Sequence, residues 1–140
     1  MGRVDFHCHT ETSGDSLNKV EDLIVKAKQR GLERLVITDH NSIQGALRAK
    51  KLAPDLIIVG EEILTDKGEI LAAFVFEEIP KRLPWKEVIG RLKEQGAFIS
   101  VSHPFDPMRS GWELSDLEML TADVDAIEVF NARSLSKNIN

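Results

Sequence analysis

The chain has 140 residues, enough for one domain with its own core, and its 42% apolar content fits a globular protein and excludes a disordered one. A formal net charge of −5 argues against nonspecific nucleic-acid binding as the main task. One cysteine excludes an internal disulfide framework. Gly2, Arg3 and Asp5 precede no long apolar run, and no stretch approaches the roughly 20 residues of a membrane span, so a cytoplasmic location is expected.

Val4-Asp5-Phe6-His7-Cys8-His9-Thr10 reads as a short strand carrying two histidines one residue apart. Side chains alternate along a strand, so His7 and His9 share a face and Cys8 points the other way, as a small core residue would. A polar turn follows, Thr10-Glu11-Thr12-Ser13-Gly14-Asp15-Ser16. Leu17, Val20, Leu23, Ile24 and Ala27 then recur at helical spacing, with Ser16 or an Asn18/Glu21 capping box to start the helix and Gly31 to stop it. Residues 34–38 form the next predicted strand, which delivers Asp39 and His40.

Ser42 opens a second predicted helix through Leu52, ended by Pro54 and Asp55. Leu56-Ile57-Ile58-Val59 is a continuous apolar run, the mark of a strand buried on both faces, and it ends on Gly60-Glu61-Glu62. Asp66-Lys67-Gly68 is a hairpin signal, with residues 70–76 returning as an antiparallel strand. A third helix is predicted over 84–95, with Trp85, Val88, Ile89 and Leu92 on its core face. Residues 97–101 form a strand that delivers Ser102-His103-Pro104, a loop with Arg109 and Trp112 follows, then a short helix over 115–120 and a strand over 126–130 ending on Asn131.

Strands and helices alternate almost throughout, which is the pattern of an α/β domain with mainly parallel strands. Polar residues of ligand type cluster past successive strand ends: His7/His9, Asp39/His40, Glu61/Glu62, His103 and Glu128/Asn131. In parallel α/β sheets and barrels, active sites are built at that edge.

These residues resemble the PHP (polymerase and histidinol phosphatase) family. His7-Cys8-His9-Thr10 with Asp15 is similar to its opening HxHT…D motif, Thr38-Asp39-His40-Asn41 to its TDH motif, and Gly60-Glu61-Glu62 to its GxE motif. Ser102-His103-Pro104 is similar to its HP motif and Glu128-Val129-Phe130-Asn131 to its E-[VI]-x-N strand, all in family order. The resemblance implies a distorted (β/α)7, TIM-like barrel with two or three divalent ions (Mn, Zn or Fe, with Mg as a further option) at the strand C-terminal edge. It implies His7, His9 and Glu62 on one ion, Glu62 and His103 on a second, and Asp15 and His40 on a third. Glu69 stands where many members have a histidine, and a carboxylate there favours harder ions.

The family's late Asp-x-His motif is absent. Residues 1–140 therefore read as the N-terminal and central part of the domain, incomplete at the C-terminus, with an open barrel edge at which an oligomer could form.

The implied chemistry is hydrolysis of a small phosphate monoester, such as a nucleotide or histidinol phosphate, by a hydroxide bridging two ions. His7, His9, Glu62, His103 and Arg109 are the candidate catalytic residues, with Arg109 for the substrate phosphate. Asp39 is expected either to orient a ligand imidazole or to cap the second helix, Glu61 to face solvent or support the ligands, and Trp112 to pack on its own domain. Alternatives are a non-catalytic metal-binding module, a nuclease acting on short nucleic-acid ends, and an amidohydrolase-like enzyme. Acidity weighs against nucleic acid, and the want of a strand lysine to carbamylate weighs against the last.

Overall fold

The computed structural model describes residues 2–106, 109 and 111–131. Six strands and four helices follow in the order β1 (Val4–Cys8), α1 (Val20–Gln29), β2 (Arg34–Ile37), α2 (Gln44–Leu52), β3 (Ile57–Leu64), β4 (Glu69–Ala73), α3 (Trp85–Glu94), β5 (Phe98–Val101), α4 (Leu114–Leu120) and β6 (Ala126–Ile127). The strands form one curled sheet in sequence order, β1-β2-β3-β4-β5-β6. β1–β2, β2–β3 and β5–β6 pair in parallel, whereas β4 runs antiparallel to both neighbours. Among the described residues the sheet is a half-barrel with free edges at β1 and β6, so the closed (β/α)7 barrel is not seen.

The helices bury their apolar stripes against this sheet. Trp85, Val88, Ile89 and Leu92 of α3 pack with Ile63, Ile70, Ile99 and Val101 in one cluster. Val20 and Ile24 of α1 and Ala46 and Ala49 of α2 pack with Leu35, Ile37 and Ile57 in the other. Small residues on α2 let it lie close to the sheet. At Gly45 a Cβ would fall on Asp39 Oδ2 and Thr10 Oγ1, two atoms that are hydrogen-bonded to each other. Gly31 and Gly96, with φ of +67° and +66°, turn the chain after α1 and α3 in the left-handed region that glycine enters freely.

Three expectations are corrected. α1 begins at Val20, and neither Ser16 nor the Asn18/Glu21 box caps it: the Ser16 hydroxyl and Asn18 amide both donate to the His9 carbonyl, at 3.0 and 3.1 Å. Leu17 lies outside the helix and is 96% exposed. β3 does not end at Glu62 but runs to Leu64, because β4 supplies antiparallel partners from Gly60 to Leu64 after parallel pairing with β2 stops at Val59.

Candidate metal centre

His7 and His9 project from the end of β1 on one face, with ring centroids 5.1 Å apart. His40 follows β2, where Asn41 N–H donates to Glu62 O and Glu62 N–H donates to Asp39 O, so the exit of β2 is tied to the middle of β3. Asn41 takes a positive φ of 51°, a conformation asparagine tolerates, and its side-chain oxygen accepts Leu64 N–H at 2.9 Å. His103 follows β5 with its ring 5.9 Å from that of His7. Four imidazoles thus converge from three strands.

Glu62, fully buried, stands at their centre. Its Oε2 lies 3.0 Å from His9 Nε2, 3.2 Å from His7 Nε2 and 3.3 Å from His40 Nδ1. Its Oε1 lies 3.1 Å from His103 Nε2 and accepts the Ser102 hydroxyl at 2.6 Å. Glu69 faces the same group, 3.4 Å from His40 Nδ1 and 3.4 Å from His103 Nε2. Asp15 lies 3.0 Å from His9 Nδ1 and 3.7 Å from His40 Nε2. The donor atoms form three compact trios: His7–His9–Glu62, His9–Asp15–His40 and His40–Glu62–Glu69.

These residues fit divalent ions. His7 Nε2 and His9 Nε2 face each other at 3.1 Å beside Glu62 Oε2. Neighbouring ligands about 2.0–2.2 Å from one ion stand roughly 3 Å or slightly more apart, which is this spacing. Buried carboxylate and imidazole together are the donor set of zinc, iron and manganese sites. A carboxylate buried as fully as Glu62 needs cationic partners, and none of the described lysines or arginines supplies one by an ion pair.

The electrostatics say the same. Burial alone would lower the His7 pKa, but hydrogen bonds to Glu128 and Glu62 lift it to about 10. Burial also opposes charge on His9, whose pKa the Glu62 and Asp15 carboxylates nevertheless raise. Burial would raise Glu62, yet bonds from His103, His7 and His9 hold it well below the usual carboxylate range. These are one set of ion pairs seen from both sides, in which protons occupy positions a metal would take. Burial and then the neighbouring Glu62 charge push Glu69 up to about 7, while burial lowers His40.

Sequence reading placed Glu128 and Asn131 at the strand edge but did not assign their supporting role. Glu128, just past β6, accepts His7 Nδ1–H at 2.9 Å and His103 backbone N–H at 2.8 Å, and Asn131 Nδ2 donates to it at 3.1 Å. The signal available was a carboxylate in the apolar run Ala126-Ile127-Glu128-Val129. The Ser13 hydroxyl donates to Asp15 and accepts His40 N–H. Asp39 neither orients an imidazole nor caps α2. It accepts Thr10 N–H at 2.6 Å and the Thr10 hydroxyl at 2.7 Å, locking the exit of β1 to that of β2. Glu61 does not face solvent: it is fully buried, accepts Ile79 N–H, and burial lifts its pKa to about 8. Trp112 is buried against Trp85 and donates its indole N–H to Glu69 O.

One side of the cluster, His7, His9 and Asp15, opens on a cleft of ≈ 680 Å³ that is also lined by Glu128, Leu17, Asn18, Arg109, Phe130 and Asn131, while His40, Glu62, Glu69 and His103 do not line it. Arg109 is also within 3.7 Å of Asp106. No helix among the described residues is long and apolar enough to cross a membrane.

A family profile described as "PHP domain" matches residues 5–97. The uncharacterized protein MJ1587 of Methanocaldococcus jannaschii is 37% identical over 143 residues, covering 93% of this chain and 82% of that protein. A "Probable phosphatase" of Caldicellulosiruptor saccharolyticus is 46% identical over 37 residues, 26% of this chain and 16% of that protein. The crystal structure of a candidate metal-dependent phosphoesterase from Bifidobacterium adolescentis superimposes with a TM-score of 0.71 over 92% of this chain and 77% of that one. At 18% identity that likeness speaks for the fold.

Proposed function

The chain belongs to the PHP domain family, and from that premise we propose that it is a metal-dependent phosphoesterase hydrolysing a small phosphate monoester of the nucleotide or histidinol-phosphate kind. The observation that carries this reading is the division of Glu62 between two sets of imidazoles, Oε2 facing His7, His9 and His40 and Oε1 facing His103. With an oxygen toward each set, Glu62 would offer one donor to an ion held by His7 and His9 and the other to an ion held by His103.

His7, His9 and Glu62 would hold one ion, Glu62, Glu69 and His103 a second, and Asp15 with His40 a third, as manganese, zinc or iron, with magnesium a further option. Such ions, when bound, supply positive charge to the phosphoryl oxygens and lower the pKa of a water toward neutrality. The protein's own work is positional. Glu128 and Asn131 hold the His7 ring so that Nε2 faces inward, and Ser102 fixes the Glu62 carboxylate. Arg109, in the cleft wall, would take a phosphoryl oxygen through its guanidinium. The names of the phosphatase relative and of the structural neighbour support the same reading.

The test is phosphate release from p-nitrophenyl phosphate by the purified chain with Mn²⁺. Release that is abolished by chelator and by Glu62→Gln is expected. Tightly bound metal with no release from any phosphate ester would overturn it in favour of a non-catalytic metal-binding module.

A further inference from the structure

A neutral imidazole has one ring nitrogen that bears a proton and one that bears a lone pair. For His7 and His9 both to offer Nε2 beside Glu62 Oε2, each ring must carry its proton on Nδ1. Glu128 Oε1 arranges this for His7, accepting Nδ1–H at 2.9 Å. The matching acceptor behind His9 is Asp15, whose Oδ1 and Oδ2 lie 3.0 and 3.2 Å from His9 Nδ1. Asp15 is itself steered from the other side. The buried Ser13 hydroxyl donates to Asp15 Oδ1 at 2.7 Å and accepts His40 N–H at 3.2 Å. The loop after β1 thus grips His9 twice: the Ser16 hydroxyl and the Asn18 amide hold its carbonyl, and Asp15 holds its ring.

We propose that Asp15 is a positioning residue for His9: it takes the Nδ1 proton and thereby presents Nε2 to the ion shared with His7 and Glu62. The compact grouping of His9, Asp15 and His40 admits another reading, in which His9 and Asp15 ligate the same ion. One lone pair decides between them. A ring that gives Nε2 to the first ion has none left at Nδ1, so Asp15 meets a proton there and not a shared ion. This rests on the ion assignments of the phosphoesterase reading, and it leaves Asp15 Oδ2 and His40 Nε2, 3.7 Å apart, to the third position. It also sets Asp15 apart from Glu128. Glu128 spreads its donors over both oxygens, whereas the Ser13 and His9 protons reach Asp15 Oδ1 together, where an amide oxygen can keep both. The grip on His9 therefore survives Asp15→Asn, and the negative charge does not.

The test reads the ring itself. The whole 140-residue chain is labelled at the histidine ring nitrogens and loaded with Zn²⁺, and NMR distinguishes a nitrogen that bears a proton from one that bears the ion. His9→Gln identifies the His9 signals. Asp15→Asn and Asp15→Ala are measured beside wild type, with Zn²⁺ affinity read by competition with a chromophoric chelator. Wild type and Asp15→Asn are expected to show His9 with its proton on Nδ1 and zinc on Nε2. Asp15→Ala is expected to lose the protected Nδ1–H signal and to bind the tightest Zn²⁺ about tenfold or more weakly, as when an acceptor behind a ligating histidine is removed. Asp15→Asn is expected to stay within about threefold of wild type for that ion, well short of the same cost.

Zinc on Nδ1 of His9 in wild type overturns the proposal. So does Asp15→Asn falling as far as Asp15→Ala, the mark of a carboxylate that acts as an ion ligand, and so does Asp15→Ala binding as tightly as wild type. The wild-type measurement needs no substitution, and the Asp15 side chain is 30% exposed and outside both core clusters. None of these outcomes is a rate. A chain with the expected His9 tautomer that releases no phosphate from any ester keeps this role and loses the phosphoesterase reading. A chain that hydrolyses phosphate esters with zinc on His9 Nδ1 does the reverse.

Discussion

Glu128→Gln isolates the contribution of the carboxylate behind the ligands. Glu128 offers two acceptor oxygens to three donors: His7 Nδ1–H at 2.9 Å, His103 N–H at 2.8 Å and Asn131 Nδ2 at 3.1 Å. Glutamine has the same shape but replaces one oxygen with an NH₂ donor. With that NH₂ toward His103, donor meets backbone donor, which cannot change. With it toward His7, the ring must place its proton on Nε2, the nitrogen that faces Glu62 and His9 and would carry the ion. Either orientation also sets one amide against Asn131 or costs the bond to His103. Loss of such a carboxylate behind a ligating histidine typically weakens metal affinity about 10–100-fold, or roughly 1.4–2.7 kcal/mol. Titration of Mn²⁺ against a competing chelator measures it, with circular dichroism reporting the fold. A correctly folded variant whose affinity stays within about threefold of wild type, well short of that range, would refute the reasoning.

Two further outcomes follow from buried charge. Burial raises the Glu61 pKa from 4.5 to about 8, so neutral Glu61 stabilises the fold fully below about pH 4.5, and that contribution is lost as pH rises through about 8. The gap corresponds to at most about 5 kcal/mol. Glu61→Gln keeps an acceptor for Ile79 N–H and cannot ionise, so its Tm should overtake that of wild type increasingly between pH 5 and pH 9. Parallel Tm curves would contradict this. His7, with its pKa lifted to about 10, carries a proton at pH 8 in the metal-free chain and must lose it to ligate. Mn²⁺ uptake at that pH should therefore release about one proton per chain or more, and affinity should rise with pH. Calorimetry in buffers of different ionisation enthalpy reads the release, and a buffer-independent heat would contradict it.

The convergence of the four imidazoles was legible because strand alternation and strand-end placement are local properties. His7 and His9 needed only their i, i+2 spacing, and His40 and His103 only the apolar runs before them. What those signals do not carry is pairing. Whether β3 stops at Glu62 depends on the register that β4 offers, and the hairpin signal at Asp66-Lys67-Gly68 does not say that Glu62 pairs with Leu71. Leu17 has helical spacing with Val20 and Ile24, but Ser16 and Asn18 are drawn to the His9 carbonyl, and that competition delays the start of the helix to Val20. Glu128 lies 121 positions from His7, and Asp39 lies 29 from Thr10. Each contact is a matter of tertiary placement, so neither role could be read from its neighbours in the chain. Glu61 and Glu62 are adjacent and chemically identical, and only opposite faces of β3 separate a carboxyl against Ile79 from one among four histidines.

The most direct test of the central claim is anomalous diffraction at the manganese edge from crystals grown with Mn²⁺. The account predicts anomalous peaks among His7 Nε2, His9 Nε2 and Glu62 Oε2, with a second peak beside Glu62 Oε1 toward His103 and Glu69. Four imidazoles splayed apart around ordinary solvent, with no anomalous density between them at saturating Mn²⁺, would contradict it.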